Sequence, residues 1–260
     1  NASDLDIIYL FTTPEADQSD GPKPLGPANY FNRLANRVTA ALSVATPAGP
    51  LYDIDTRLRP QGSKGMLAVS LDAFADYQRN EAWTWEHMAL SRARPVFGSK
   101  KARSTAAGLI AEVLQRPYEP QELVDAAVKM REEISRHKPA SGPLDVKLGE
   151  GGLVDLEFSV HVLQLARKSG LTPKLEQAVE QLAKDDFIEP KVVAAQHLLT
   201  QMLVTIRLVA PETTSPSEES CNLMARACGA ASWKELLARH DEARQSISEL
   251  WHRVKEGNLG

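Results

Sequence analysis

The sequence predicts an α+β fold: a small mixed sheet with flanking helices over residues 1–98, then an all-α helical bundle over residues 99–260. Three observations carry this reading. Two segments in the first sixty residues, Asp4–Phe11 and Leu51–Leu58, have the short apolar or alternating pattern of strands. Stretches rich in Pro and Gly separate them from their neighbours. From Lys100 onward almost every segment repeats its apolar residues at helical spacing.

Taken in order, the first strand runs into a surface loop from Thr12 to Pro27. A helix is predicted over Ala28–Val44, with Phe31, Leu34, Ala35, Val38 and Leu42 on its apolar side, ended by Pro47-Ala48-Gly49-Pro50. The second strand follows at Leu51–Leu58, then a glycine loop at Pro60–Gly65 and a third strand at Met66–Val69. Ser70 or Asp72 is placed to cap a helix over Leu71–Arg79, and a further helix over Trp83–Arg94 stops before Pro95. The boundary is expected near Phe97-Gly98-Ser99. Beyond it, helices are predicted near 100–115, 119–136, 152–168, 173–184, 188–209, 217–227 and 232–256. A chain opening on a core strand with Asn1, not Met, is expected to be part of a longer protein.

Bulk chemistry removes several function classes. A net charge of −4 lacks the basic excess of a sequence-independent nucleic-acid binder, so no nucleic-acid partner is expected. No apolar run suggests a membrane span, and no basic-then-apolar leader opens the chain. Cys221 and Cys228, seven apart, fit neither a disulfide scaffold nor a zinc site, so a reducing cytoplasmic setting is expected.

The acids of the two strands offer chemistry. Asp4 and Asp6 stand two apart on an apolar strand and so share a face. Two carboxylates held this close repel unless a cation neutralises them, and oxygen-only ligands favour Mg²⁺ or Mn²⁺. A strand end with its acids in solvent gives the same pattern. On the second strand Asp53, Asp55, Arg57 and Arg59 are expected on one face. Acids from two strands can build a two-metal phosphoryl-transfer site, with Arg57 and Arg59 set against a triphosphate or, alternatively, paired with the acids. The loop Gly62-Ser63-Lys64-Gly65 offers backbone N–H groups to phosphate or is a plain turn. Trp83, Trp85 and His87 cluster on one short helix, where the indoles either seal a core or stack on a ligand or partner. Gly151-Gly152 opens a helix carrying Asp155 and Glu157, a pattern that suits either close approach to an anion or simple capping.

Several blocks together resemble a known family. Ser3-Asp4-Leu5-Asp6 looks like the Ser-Asp-hydrophobic-Asp element of polymerase-β-like nucleotidyltransferases. Asp53-Ile54-Asp55-Thr56-Arg57-Leu58-Arg59-Pro60 with Gly62-Ser63-Lys64-Gly65 resembles one subfamily, the glutamine synthetase adenylyltransferases. So do Glu81-Ala82-Trp83-Thr84-Trp85-Glu86-His87, Ser91-Arg92-Ala93-Arg94-Pro95, and Gly151-Gly152-Leu153-Val154-Asp155-Leu156-Glu157-Phe158. The resemblance implies transfer of AMP from ATP to a tyrosine of glutamine synthetase, releasing pyrophosphate, in nitrogen regulation. Asp4, Asp6 and Asp55 would hold Mg²⁺ or Mn²⁺, with Asp55 taking the tyrosine proton. Asp55 is preferred to Asp53 because it precedes the Arg-Leu-Arg-Pro run. Ser3, Arg57, Arg59, Ser63, Lys64, Gly151 and Gly152 would face the nucleotide. Trp85-Glu86-His87 resembles the adenylylating half of the family rather than the adenylyl-removing half, which remains the alternative. A second alternative is a non-catalytic regulatory module that binds a PII signal protein, itself a family partner. The family's phosphate-holding Gly-Gly or Gly-Ser element would lie before Asn1.

Overall fold

The structure, a computed structural model, describes residues 4–12, 17–47, 49–50, 52–210 and 216–260. Its contacts divide the chain into two units. Residues 1–89 and 95–113 form a mixed unit, and residues 90–94 and 114–260 form a helical one. The division falls differently from the boundary expected at residue 98. The helix after that point belongs with the strands, and the short segment before it belongs with the bundle.

In the mixed unit the opening segment serves two neighbours. Its first part, β1 (Leu5–Asp6), pairs in parallel with Ile54–Asp55; its second part, β2 (Tyr9–Phe11), pairs in parallel with Ala68–Ser70. Parallel neighbours need a crossover. Helix α1 (Pro27–Ser43) supplies it, with Pro27 in its first turn where a missing N–H does no harm. A two-strand hairpin follows, β3 (Ala45–Thr46) and β4 (Gly49–Pro50), and then β5 (Ile54–Asp55) and β6 (Ala68–Ser70).

Three side-chain contacts fix α1 on the strands. Phe31 stacks on Phe11 with ring centroids 4.6 Å apart, and the Tyr9 hydroxyl lies 2.9 Å from Thr39 Oγ1. Asn32 Oδ1 accepts the backbone N–H groups of Leu67 and Ala68 at 2.8 and 3.1 Å, pinning the start of β6. The Ser70 hydroxyl then caps α2 (Leu71–Asn80) by accepting the Ala73 N–H, as expected from the sequence. Helices α3 (Thr84–Leu90) and α4 (Lys100–Leu114) follow. In helix α4, Ala106, Leu109 and Val113 are buried, and Arg79 of α2 forks on the Glu112 carboxylate at 2.7 and 2.8 Å. Apolar spacing does not tell which of two cores a helix faces.

The second expected strand is shorter than Leu51–Leu58. Among the described residues pairing is confined to Ile54–Asp55, and the chain turns at Arg57. Asp55 causes this: its Oδ1 accepts the backbone N–H of Arg57 at 2.8 Å, the local turn that aspartate favours.

The helical unit contains α5 (Pro120–His137), α6 (Leu153–Arg167), α7 (Leu175–Lys184), α8 (Pro190–Val209), α9 (Glu218–Ala227) and α10 (Trp233–Lys255). Leu156, Leu163, Leu182, Leu199, Met202, Leu236 and Ile247 form its core and are fully buried. Helix α8 has the length and apolarity of a membrane span, a property the sequence reading missed. Here it packs on α10, α7 and α9, so its apolar residues have a protein core to enter. His161 is buried beside Ser91 and Gln164, and burial drives its pKa down to about 4.

The turn before α6 rests on a buried ion pair. Arg131 of α5 binds the Asp155 carboxylate and donates to Leu148 O at 3.0 Å, while Asp155 Oδ2 accepts the Gly151 N–H at 2.7 Å. Gly151 has a φ of +67°, and a Cβ there would stand 2.1 Å from the carbonyl oxygen of Arg244 in α10. Replacing Gly151 with Ala is expected to destabilise the protein by about 2–4 kcal/mol, from left-handed strain plus overpacking. Gly108 sits exposed within α4 with nothing within 4 Å of its missing Cβ, so Gly108→Ala should instead stabilise by up to about 1 kcal/mol. Urea unfolding followed by circular dichroism distinguishes the two.

Candidate active site

The register of β1 against β5 decides where the acids go. Leu5 stands opposite Ile54 and Asp6 opposite Asp55. Backbone bonds from Leu5 N to Asp53 O and from Ile7 N to Asp55 O, both 2.8 Å, lock that register. Register partners on adjacent strands point to the same face. Strand geometry separates such neighbours by about 4.8 Å across the pair and about 6.6 Å along it. Exposed Asp6 and half-buried Asp55 therefore share one face, with exposed Asp4 just before the strand.

Arg57 meets this charge. Its Nε donates to both oxygens of Asp55, at 3.0 and 2.9 Å, and its Nη2 donates to Oδ2. These bonds from Arg57 hold the Asp55 carboxyl below the usual carboxylate range. Asp55 in turn raises the Arg57 pKa, and the charges of Asp6 and Asp4 add to it. Arg57 and Arg59 do not lie along a strand face with Asp53 and Asp55, as the alternation predicted, because the chain has already turned.

Arg59 has a different task. It donates to Thr56 O at 2.6 Å, Thr56 Oγ1 at 2.8 Å and Gly65 O at 3.3 Å. The guanidinium braces the loop that carries Ser63 and Lys64, both exposed. Ser3 lies outside the described residues.

The Trp-Thr-Trp-Glu-His block builds a small polar core beside α2. Glu86, 7% exposed, accepts the Tyr77 hydroxyl at 2.9 and 3.1 Å. It also accepts the backbone N–H of Trp83 at 3.2 Å, which is the second half of a capping box. His87 Nε2 lies 3.0 Å from Gln78 O. Trp83 is 69% exposed, so this indole does not seal the core. Sequence reading missed the Tyr77–Glu86 pair; the signal was a glutamate three residues after the helix start, masked by a tryptophan where serine or threonine usually caps.

Gly151 and Gly152 belong to the helical unit, where the N–H groups at the start of α6 are already engaged. Gly151 donates to Asp155, Gly152 to Gly149 O, Leu153 to Val146 O and Val154 to Lys147 O. The close approach of Arg244 gives Gly151 a packing reason that needs no nucleotide. Among the described residues, only Glu176, Glu180 and His197 bring three metal-ligand atoms within 4.8 Å of one another. They lie on α7 and α8, in the helical unit.

Comparison with known proteins divides along the chain. Residues 1–108 match the family described as Glutamate-ammonia ligase adenylyltransferase, and residues 125–255 match GlnD PII-uridylyltransferase. A Brucella suis protein named bifunctional glutamine synthetase adenylyltransferase/adenylyl-removing enzyme is 42% identical over 213 residues, covering 79% of this chain and 22% of its own length. Proteins of the same name are 37% identical over 271 residues in Bradyrhizobium diazoefficiens and 36% over 267 in Rhizobium meliloti. Each of these two alignments covers 98% of this chain and 27% of the relative. The chain thus spans about a quarter of the length of these relatives.

The polar core makes a pH prediction. Burial, reinforced by the bond to Glu86, pushes the Tyr77 pKa up to about 12 from 10.0. A raised tyrosine pKa means the neutral phenol is favoured in the fold, so its contribution is intact below pH 10.0 and is lost as pH rises through about 12. Tyr77→Phe should remove one high-pH step from the ultraviolet tyrosinate titration, and Glu86→Gln should move that step down towards 10.0. Tyr118, held near 12 by burial in the helical unit, should titrate unchanged in both variants.

Proposed function

The chain belongs to the glutamine synthetase adenylyltransferase family, and we propose that it transfers AMP from ATP to a tyrosine hydroxyl of glutamine synthetase, releasing pyrophosphate, in nitrogen regulation. The observation that carries this reading is the register of Asp6 against Asp55 on neighbouring parallel strands, with the charges of both Asp6 and Asp4 acting on Arg57. The oxygen-only donor set of these carboxylates fits Mg²⁺, with Mn²⁺ as a substitute. Asp4, Asp6 and Asp55 would hold it. Once bound, such ions lower the pKa of the attacking hydroxyl and offset charge on the phosphates.

The chain's own groups divide the remaining work. The tyrosine oxygen forms a bond to the α-phosphorus as the bond to the β-phosphate oxygen breaks, and Asp55 takes the hydroxyl proton. Arg57, with its exposed fork, is suited to a phosphate. Lys64 and Ser63 stand exposed on the braced loop as further phosphate contacts. Arg59 acts through that loop, by holding it. Ser3 is assigned to the nucleotide by its place beside Asp4. Gly151 and Gly152 are assigned a supporting role, shaping the start of α6, because their N–H groups are engaged.

His87 after Trp85-Glu86 favours the adenylylating over the adenylyl-removing direction. The match of residues 125–255 to a PII-uridylyltransferase family favours a PII signal protein as a regulatory partner of the helical unit. A cytoplasmic location follows from these substrates.

Asp6→Asn in the full-length protein should lower Mg²⁺-dependent incorporation of labelled AMP into glutamine synthetase by about 100-fold or more, the scale of a lost metal ligand in phosphoryl transfer. The circular dichroism spectrum should stay unchanged, since Asp6 is exposed. Normal incorporation would overturn the reading, and loss of AMP removal with transfer intact would reverse the direction assigned.

A further inference from the structure

The bond between Arg57 and Asp55 has a bearing on how the site fills. Both carboxylate oxygens of Asp55 are occupied: Oδ1 by the backbone N–H and Nε of Arg57, Oδ2 by Nε and Nη2. A cation approaching Asp55 from this side meets a bidentate guanidinium in its place. The two partners differ in freedom. The Asp55 side chain is 19% exposed and fixed by the strand register, whereas the Arg57 side chain is 78% exposed and stands beyond the turn. Arg57 can therefore leave while Asp55 stays. Arg59, the other cation near Asp55, is tied to Thr56 and Gly65 and cannot take over the fork.

We propose that Arg57 is an exchange latch: it holds Asp55 until a nucleotide triphosphate draws the guanidinium away, and only then does Asp55 become a ligand for the divalent cation. This rests on the metal reading of Asp4, Asp6 and Asp55 given above. It makes nucleotide and metal enter in an order, with the same fork serving first the carboxylate and then a phosphate. Arginine suits both partners because its planar fork matches carboxylate and phosphate alike; lysine would offer charge without the fork.

Mn²⁺ binding to the full-length protein tests this, followed by the electron paramagnetic resonance of free Mn²⁺. Sites elsewhere in the protein are subtracted by using Asp6→Asn as the baseline. Without nucleotide, Arg57→Gln should bind Mn²⁺ at the Asp6-dependent site about tenfold more tightly than wild type, the scale of one hydrogen bond between charged groups. Arg57→Lys separates the fork from plain charge: it should resemble Arg57→Gln if the fork is the latch, and wild type if charge alone matters. Arg59→Gln should change the affinity little. Adding α,β-methylene ATP should tighten Mn²⁺ binding in wild type and narrow its gap to Arg57→Gln. Equal affinities of wild type, Arg57→Gln and Arg57→Lys would overturn the latch while leaving the metal site standing. If Asp6→Asn removes no Mn²⁺ in any background, the metal reading falls and the latch falls with it.

Discussion

The mixed unit is organised around one electrostatic constraint: two aspartates held opposite each other on adjacent parallel strands, with a third two residues along. Backbone hydrogen bonds on either side leave the strands no freedom to slide the charges apart. Like charges on neighbouring strands repel, and a nearby cation relieves that repulsion. Arg57 meets that need within the chain. The turn that brings it back is set by Asp55 itself, through the bond to the Arg57 backbone N–H. The same carboxylate thus ends its strand, binds the arginine and completes the acidic face.

The helical unit solves its own charge problem in the opposite way. Asp155 is almost fully buried, and most of the Arg131 side chain is covered with it. A buried pair of this kind is costly to assemble and damaging to break, because losing one partner leaves the other charge without solvent. Its return is geometric. Asp155 gathers the Gly151 N–H, and Arg131 gathers the Leu148 carbonyl, so the turn before α6 is fixed against α5 and, through Gly151, against α10.

Much of this was legible in the sequence because it is local. Alternation placed Asp4 with Asp6, and the Arg-Leu-Arg-Pro run singled out Asp55 over Asp53. The expected helices appear within a few residues of their predicted ends, and Ser70 caps as its position suggested. What was not legible depends on contacts that periodicity does not encode. Arg57 and Arg59 read as strand residues because an Asp-x-Arg turn keeps the alternation of a strand while leaving it. The reason for Gly151 lies at Arg244, 93 positions away, where no local pattern points. The fork between Arg79 of α2 and Glu112 of α4 is likewise a long-range contact that apolar spacing does not encode.

The double service of residues 5–11 bears on how the chain assembles. One short segment is the shared edge of two parallel pairs, and its partners begin at Ile54 and end at Ser70. Closing those loops comes before any reward from pairing, which makes such topologies slow to form. During synthesis the acidic strand is made first, yet its partner at Ile54–Asp55 comes only about fifty residues later. Through that interval Asp4 and Asp6 are ordinary solvated side chains. The acidic face forms late, in the same event that completes the sheet, so a chain stalled before β5 and β6 carries the acids without their assembled arrangement.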